Sequence, residues 1–171
     1  MSSACIRPLG PESAASFQAL RLAALCDTPD AFGSSYEEEQ RLTTQEWAGR
    51  ITPTSASLVL GAWEAEQLVG CAGLYRLSPL KQQHKAVIWG VYVAPAQRGA
   101  GLGRQLILSA IDHARQWQGL RQLLLTVNSS KLAACQLYRS LGFKAYGHEP
   151  AALYIDGRPI DETLMLKLLD D

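Results

Sequence analysis

The chain has 171 residues, 47% hydrophobic and 19% charged, with sixteen basic side chains against sixteen acidic ones. That length and composition fit one globular domain over residues 1–171 and exclude a disordered or fibrous chain. Zero net charge supplies no overall field for nucleic acid or an anionic membrane, and no run approaches the ~18 uncharged apolar residues of a spanning helix.

Cys5, Cys26, Cys71 and Cys135 are scattered, with no C-x-x-C pair, so no metal site is expected and the thiols are read as buried. The start Met1–Cys5 has no basic region followed by an apolar run. A reducing cytoplasm is the expected location.

Ala4–Pro8 is expected to be a short edge strand and Glu12–Leu25 a helix. Ala15, Ala19, Leu22 and Leu25 recur at three or four residues and predict its buried face. Asp27-Thr28-Pro29-Asp30 ends it. The acidic stretch from Ser35 starts a second helix, predicted to continue through Trp47 to Ile51. Ser57–Glu64 and Gln67–Leu77 form a hairpin turning at Ala65-Glu66. Lys85–Val93 is nearly continuous in apolar residues, as a central strand requires. A glycine-rich loop leads to a helix over Leu102–Trp117, whose buried stripe is Leu102, Leu106, Ala110, Ala114 and Trp117. Gln122–Val127 returns as a strand parallel to Lys85–Val93, because one helix separates them. Ser130–Leu141 is a helix stopped by Gly142. Phe143–His148 and Leu164–Leu169 are the last strands, joined through Asp156-Gly157 in a region that Pro150 and Pro159 make irregular. Trp63, Trp89 and Trp117 are assigned to the core. The sum is a mixed α/β sheet covered by helices.

Chemistry concentrates at Arg98-Gly99-Ala100-Gly101-Leu102-Gly103-Arg104, between a strand and a helix. Glycines at every second position let the chain turn sharply and lie close to a ligand. The amides and the helix N-terminus favour an anion, and a diphosphate fits. Arg98 and Arg104 can add charge at the rim. The Walker pattern fails, since no G-K-[ST] follows, and so does the dinucleotide pattern, since the spacing is G-x-G-x-G.

Val91-Tyr92-Val93-Ala94-Pro95, the glycine loop, and Leu137-Tyr138-Arg139-Ser140-Leu141-Gly142-Phe143 some thirty residues on closely resemble the GNAT-type N-acetyltransferases, in particular a bacterial branch. The resemblance is strong over Lys85–Tyr146 and weaker at Leu20–Leu22 and Ala31–Glu39. It implies a mostly antiparallel sheet with a splayed parallel pair and flanking helices. It also implies acetyl-coenzyme A as cosubstrate, no metal, and a small-molecule amine or peptide as acceptor, in a monomer or homodimer. The implied contacts to the cosubstrate are the amides of Arg98, Gly99, Ala100, Gly101, Leu102, Gly103 and Arg104 for pyrophosphate, and the backbone of Val91, Tyr92 and Val93 for pantetheine. Asn128 and Lys131 are further contacts, the lysine standing where the family commonly has asparagine. Ala96 replaces the usual polar first loop residue, and Ala86 lies where a strand glutamate often acts as base.

Tyr138 is the implied general acid: a phenol of pKa ~10 lies slightly above a thiol and can protonate the departing thiolate. The base is open between His84, the run Glu37-Glu38-Glu39 with Glu38 as its representative, and His148 with Glu149. His113 is assigned to the surface and Cys135 to a buried thiol. The segment Ala31–Arg41 is expected to set acceptor choice, with a carboxylate of raised pKa taking the amine's proton. A non-catalytic acyl-coenzyme A sensor of the same fold is the alternative.

Overall fold

The computed structural model describes residues 4–169; of the Met1–Cys5 start, only Ala4 and Cys5 are among the described residues. A seven-stranded sheet runs in the order β1-β2-β3-β4-β5-β7-β6. Its strands are β1 (Cys5–Pro8), β2 (Ser57–Glu64), β3 (Gln67–Arg76), β4 (Lys85–Val93), β5 (Gln122–Asn128), β6 (Lys144–Ile155) and β7 (Arg158–Leu168). Every neighbouring pair is antiparallel except β4–β5, which is parallel. The mixed fold class expected from the sequence is the one observed.

Helices cover both faces. On one side α4 (Leu102–Arg115) and α5 (Leu132–Ser140) bury Leu106, Ile107, Ala110, Cys135 and Tyr138 against β2–β5. On the other, α1 (Ala14–Asp27) and α3 (Thr44–Ile51) bury Phe17, Leu20, Trp47 and Ile51 against β2 and β3. Between these two helices lies the single turn α2 (Tyr36–Glu39).

Three expectations need correction. The buried face of α1 is Ala14, Phe17, Leu20, Arg21, Ala24 and Leu25, and Ala15 and Ala19 are exposed. Alanine is spread around this helix, so its small side chains fit several stripes and the bulky Phe17 and Leu20 decide. The helix expected through Ile51 is two helices, each opened by its own capping box. Ser35 Oγ accepts from the Glu38 amide and Thr43 Oγ1 from the Glu46 amide, and each glutamate carboxylate accepts from the amide of its own cap residue. The last two strands are longer than expected and run through both prolines. Pro150 lies on β6, the sheet's edge, within a register shift, and Pro159 on the stretch of β7 beyond its pairing with β5, conditions under which proline is tolerated. Asp156 (φ +50°) and Gly157 (φ +73°) make the tight turn between them.

The feature that positions the site is the parting of β4 from β5. They pair only at Lys85↔Gln122, Ala86↔Leu123 and Val87↔Leu124. Beyond that, β4 stays on β3, but Ala72 opposes two β4 residues, Gly90 and Val91, between the pairs Gly73↔Trp89 and Cys71↔Tyr92. Gly90 has φ +61°, a conformation that disfavours a side chain, so this is a glycine bulge. A bulge bends its strand, and here the strand turns away from β5.

Candidate active site

The parted strands leave a cleft of about 110 Å³ walled by Gly90 and Val91 of β4, Val127 and Asn128 of β5, and Ala134 and Tyr138 of α5. Beyond β4 a 3₁₀ turn, Pro95–Gln97, leads into the glycine loop, and Gly101 (φ +81°, ψ 8°) is the N-cap of α4. No side chain caps this helix, so the first-turn amides of Leu102, Gly103 and Arg104 have no intrahelical acceptor. A Cβ built on Gly99 or Gly101 would meet nothing within 4 Å. The positive φ therefore selects glycine at Gly101, and the space in front of the amides is open. An open, uncapped helix start fits a pyrophosphate.

Both loop arginines face the protein rather than the loop mouth. Arg98 Nε donates to the Val93 carbonyl at 2.9 Å, its Nη2 donates to Asp27, and its guanidinium lies 5.4 Å over the Tyr92 ring. Tyr92 Oη also donates to Asp27, at 3.1 Å. Arg98 and the Tyr92 side chain thus clamp the loop to the end of α1, and the Val93 carbonyl is occupied. The Arg98 hydrogen bond holds the Asp27 carboxyl below its ordinary value; burial first, then Asp27, pushes the Tyr92 phenol up. Arg104 Nη1 donates to Ser140 Oγ at 2.9 Å, tying α4 to α5.

Asn128 and Lys131 are also engaged elsewhere. Asn128 Nδ2 donates to the Asp30 carbonyl at 3.0 Å and its Oδ1 accepts from the Ser130 amide at 2.9 Å. Lys131 Nζ pairs with Asp30 Oδ2 at 2.9 Å. Together they hold the 3₁₀ turn Pro29–Ala31 across the end of the cleft. Tyr138 is 8% exposed and stands edge-on to Phe143, with ring centroids 5.9 Å apart. Burial, with a smaller contribution from the Cys135 thiol, pushes its phenol to about 12. It is therefore fully protonated at neutral pH, as a general acid must be before it acts. Cys71 and Cys135 are buried as expected, the Cys135 Sγ donating to the Asn128 carbonyl at 3.8 Å, whereas Cys5 and Cys26 are exposed.

The candidate bases do not gather at the cleft. His84 precedes β4 at the end where β4 and β5 are still paired, and its carbonyl accepts from the Arg121 and Gln122 amides. Trp89 is five residues further along, roughly 16 Å at the rise of a strand. Glu38 is a helix cap: its bonds from the Ser35 amide and hydroxyl hold its carboxyl below the ordinary value, opposite to the expected rise. Glu39 is buried with Arg21 and Arg50. His148 pairs with Asp161 at 3.2 Å on exposed β6. His113 Nδ1 lies 2.9 Å from the Ser109 carbonyl on α4.

Two cavities adjoin this region on the α1 face. One, of about 400 Å³, lies between Phe32, Tyr36 and Glu37 and the hairpin tip Leu153–Asp156. Part of the segment Ala31–Arg41 thus faces a cavity. The other, of about 370 Å³, is lined by Arg21, Glu39, Arg50, Tyr75 and Trp89. Trp89, assigned to the core from the sequence, instead stands between this cavity and the cleft. Gly90, Asp27, Asp30 and Arg21 are site-building residues that sequence reasoning missed. A glycine inside an otherwise apolar strand was the available signal for Gly90.

No group of three or more potential metal ligands lies together among the described residues. No described helix is long and apolar enough to cross a membrane. Residues 18–143 match the family described as Acetyltransferase (GNAT) family. The chain is 32% identical over 126 residues to an L-methionine sulfoximine/L-methionine sulfone acetyltransferase of Pseudomonas paraeruginosa, covering 74% of this chain and 73% of that one. It is 30% identical over 130 residues to a mycothiol acetyltransferase of Renibacterium salmoninarum, covering 75% of this chain but 37% of the relative's length. An acetyltransferase of the GNAT family from Streptococcus pneumoniae superposes with TM-score 0.87 at 27% identity, covering 97% of this chain and 99% of that one. A putative acetyltransferase from Salmonella typhimurium, solved with its cofactor acetyl-CoA, superposes with TM-score 0.84 at 26% identity, covering 99% and 96%. With an uncapped glycine loop, a parted parallel strand pair and a matching family description over most of its length, the chain belongs to the acetyltransferase (GNAT) family.

Proposed function

We propose that the chain transfers an acetyl group directly from acetyl-coenzyme A to a primary amine, with a small molecule favoured over a peptide as acceptor. The carrying observation is the conjunction, at one end of β4, of an uncapped glycine-built helix start and a parted strand pair walled by Tyr138. Acetyl-coenzyme A supplies the activated acetyl group as a thioester. The amides from Gly99 to Arg104 bind its pyrophosphate, and the β4 edge that β5 leaves unpaired beyond Val87 orients its pantetheine. A β4 amide near Gly90 or Val91 polarises the carbonyl. The neutral amine attacks the carbonyl carbon, and the C–S bond breaks as the C–N bond is kept. Tyr138 donates its phenolic proton to the leaving sulfur. The proton lost by the acylated nitrogen passes to solvent, which reprotonates the phenolate. Relatives named for methionine sulfoximine and mycothiol favour a small-molecule acceptor.

The test combines melting with turnover. At ~100 times its dissociation constant, acetyl-coenzyme A adds ~2.7 kcal/mol of stability. An unchanged melting temperature removes the reading. A raised melting temperature without coenzyme A release, across a broad panel of amines, supports the non-catalytic sensor instead.

A further inference from the structure

Arg21, Glu39 and Arg50 form a charge cluster whose bonds leave one element unexplained. Arg21 Nε and Nη2 donate to the two Glu39 carboxylate oxygens at 2.9 and 3.0 Å, and Arg50 Nη1 lies 3.0 Å from Glu39 Oε1. Arg21 is 5% exposed and Glu39 2%. Two guanidiniums against one carboxylate leave a formal surplus of one positive charge, with Arg50 about a third exposed. The Nη1 group of Arg21 is buried and has no hydrogen-bond partner among the described residues. A buried donor without an acceptor is costly, most of all on a charged group. Arg21 and Glu39 alone would hold α1 to α2; Arg50, from α3, adds a second guanidinium to the same carboxylate.

The surplus charge faces the cavity of about 370 Å³ that Ser34, Tyr75 and Trp89 also line. Arg21 is fixed there by aromatic faces: its guanidinium carbon lies 4.6 Å from the Phe32 ring centre and 5.9 Å from that of Trp89. Its Nη1 is 3.6 Å from where a Cβ on Gly90 would stand, so the orphan donor sits beside the bulge at which β4 leaves β5. Trp89 lines both this cavity and the cleft. An anion in the cavity is thus a neighbour of the atoms that Gly90 and Val91 present to the cleft.

We propose that this cavity binds a carboxylate of the acceptor, through Arg21 and Arg50, and hence that the acceptor is amino-acid-like, its amine a few bonds from a carboxylate. A single surplus charge matches a carboxylate better than a phosphate dianion, and a planar guanidinium fork matches its two oxygens. The inference rests on the acetyl-transfer reading only in naming the amine as the reacting group.

The experiment compares free amino acids with their amides and their decarboxylated amines, over apolar, aromatic, acidic and basic side chains. Binding is followed by calorimetry with coenzyme A present, where no transfer occurs, and transfer by coenzyme A release from acetyl-coenzyme A. The free acid is expected to bind at least about tenfold tighter than its amide for one or more side chains. Arg50→Gln, at a side chain about a third exposed, is expected to shrink that preference without altering acetyl-coenzyme A affinity. Arg21→Lys, checked for folding by circular dichroism, should act likewise. Equal or absent binding of acids and amides across the panel overturns the proposal, as does an unchanged preference in a folded Arg21→Lys variant. Selective acid binding without coenzyme A release leaves this site standing and sinks the acetyl-transfer reading. Release from amides as readily as from acids does the reverse.

Discussion

The two halves of the cleft are made of different materials. β4, the glycine loop and α4 present main chain: amides at an uncapped helix start and a strand edge left open. The arginines beside that loop are spent on Asp27, Val93 and Ser140, holding the loop rather than reaching past it. α1, α2 and the segment between them present side chains instead: Arg21, Phe32, Tyr36 and Glu39, with Trp89 at the border. A site built from backbone is specified by where glycine is allowed, and so tolerates change in the side chains around it. A site built from side chains depends on pairs brought together from distant positions, and single substitutions alter it.

The largest effect that should expose this contrast lies in the side-chain half. Glu39→Ala leaves the Arg21 guanidinium buried without its counter-charge, which costs about 3–5 kcal/mol. Denaturant melting is the measurement, and a loss under 1 kcal/mol would mean that water replaces the carboxylate freely. The pH dependence has a definite sign. Burial is the largest single influence on Glu39 and raises its carboxyl, but the bonds and charges of Arg21 and Arg50 together outweigh it and hold it below 4.5. Its contribution is therefore complete above pH 4.5 and is lost as pH falls through the lower, folded value.

In the backbone half, Gly101→Asp should abolish the stabilisation by acetyl-coenzyme A, about 2.7 kcal/mol at a hundredfold excess over the dissociation constant. The φ of +81° already disfavours a side chain, and a carboxylate would repel a pyrophosphate at the amides. Retained stabilisation would place the phosphates elsewhere. By contrast, Arg104→Gln, which loses only the tie to Ser140, should leave that stabilisation nearly intact.

Tyr138 joins the halves, and Tyr138→Phe separates binding from chemistry there. Turnover should fall ~100-fold while acetyl-coenzyme A affinity holds. With the phenol pushed to about 12, the wild-type rate should show no alkaline loss assignable to Tyr138 at or below pH 10. Unchanged turnover would mean that the thiolate leaves without an acid from this position.

The same contrast explains what could be read in the sequence. The bounds of β4 and the start of α4 follow from patterns a few residues long: an apolar run, glycines, then a stripe at Leu102, Leu106, Ala110 and Ala114 that is fully or nearly buried. The stretch from Ser35 to Ile51 reads as one continuous helix, although the break between α2 and α3 too has a local signal, since Ser35/Glu38 and Thr43/Glu46 each carry a capping box. Arg21–Glu39 has none. Its partners are 18 residues apart, and a glutamate in an acidic run looks solvated until the packing of α1 shows that one of the three points inward. Nor does any local pattern turn Arg98 back onto Asp27, 71 residues away.

The smallest predicted effect asks whether the side-chain half extends into the β6–β7 hairpin, whose tip walls the cavity of about 400 Å³ beside Phe32 and Tyr36. Glu149 and Glu162 lie directly opposite each other on these strands. Burial first, then the Glu149 charge, raises the Glu162 carboxyl. A raised carboxyl means that folding disfavours the charged form, so stability is higher below the ordinary value of 4.5 and declines as pH rises through the folded value. Glu149→Gln removes the repulsion. Like charges facing across strands cost about 0.2–1 kcal/mol, and exposure to water brings this pair to the lower end. The variant should therefore melt slightly higher than the parent at pH 7, with no difference at pH 3, where the raised Glu162 carboxyl is protonated and there is no charge pair to relieve. An equal gain at both pH values would trace the effect to strand propensity rather than charge. The variant's acceptor KM then settles the boundary. If KM is unchanged, the hairpin supports the cavity without meeting the acceptor. If KM rises for amines carrying a positive charge remote from the reacting one, Glu149 belongs to the side-chain half, and the acceptor spans from Arg21 to the hairpin.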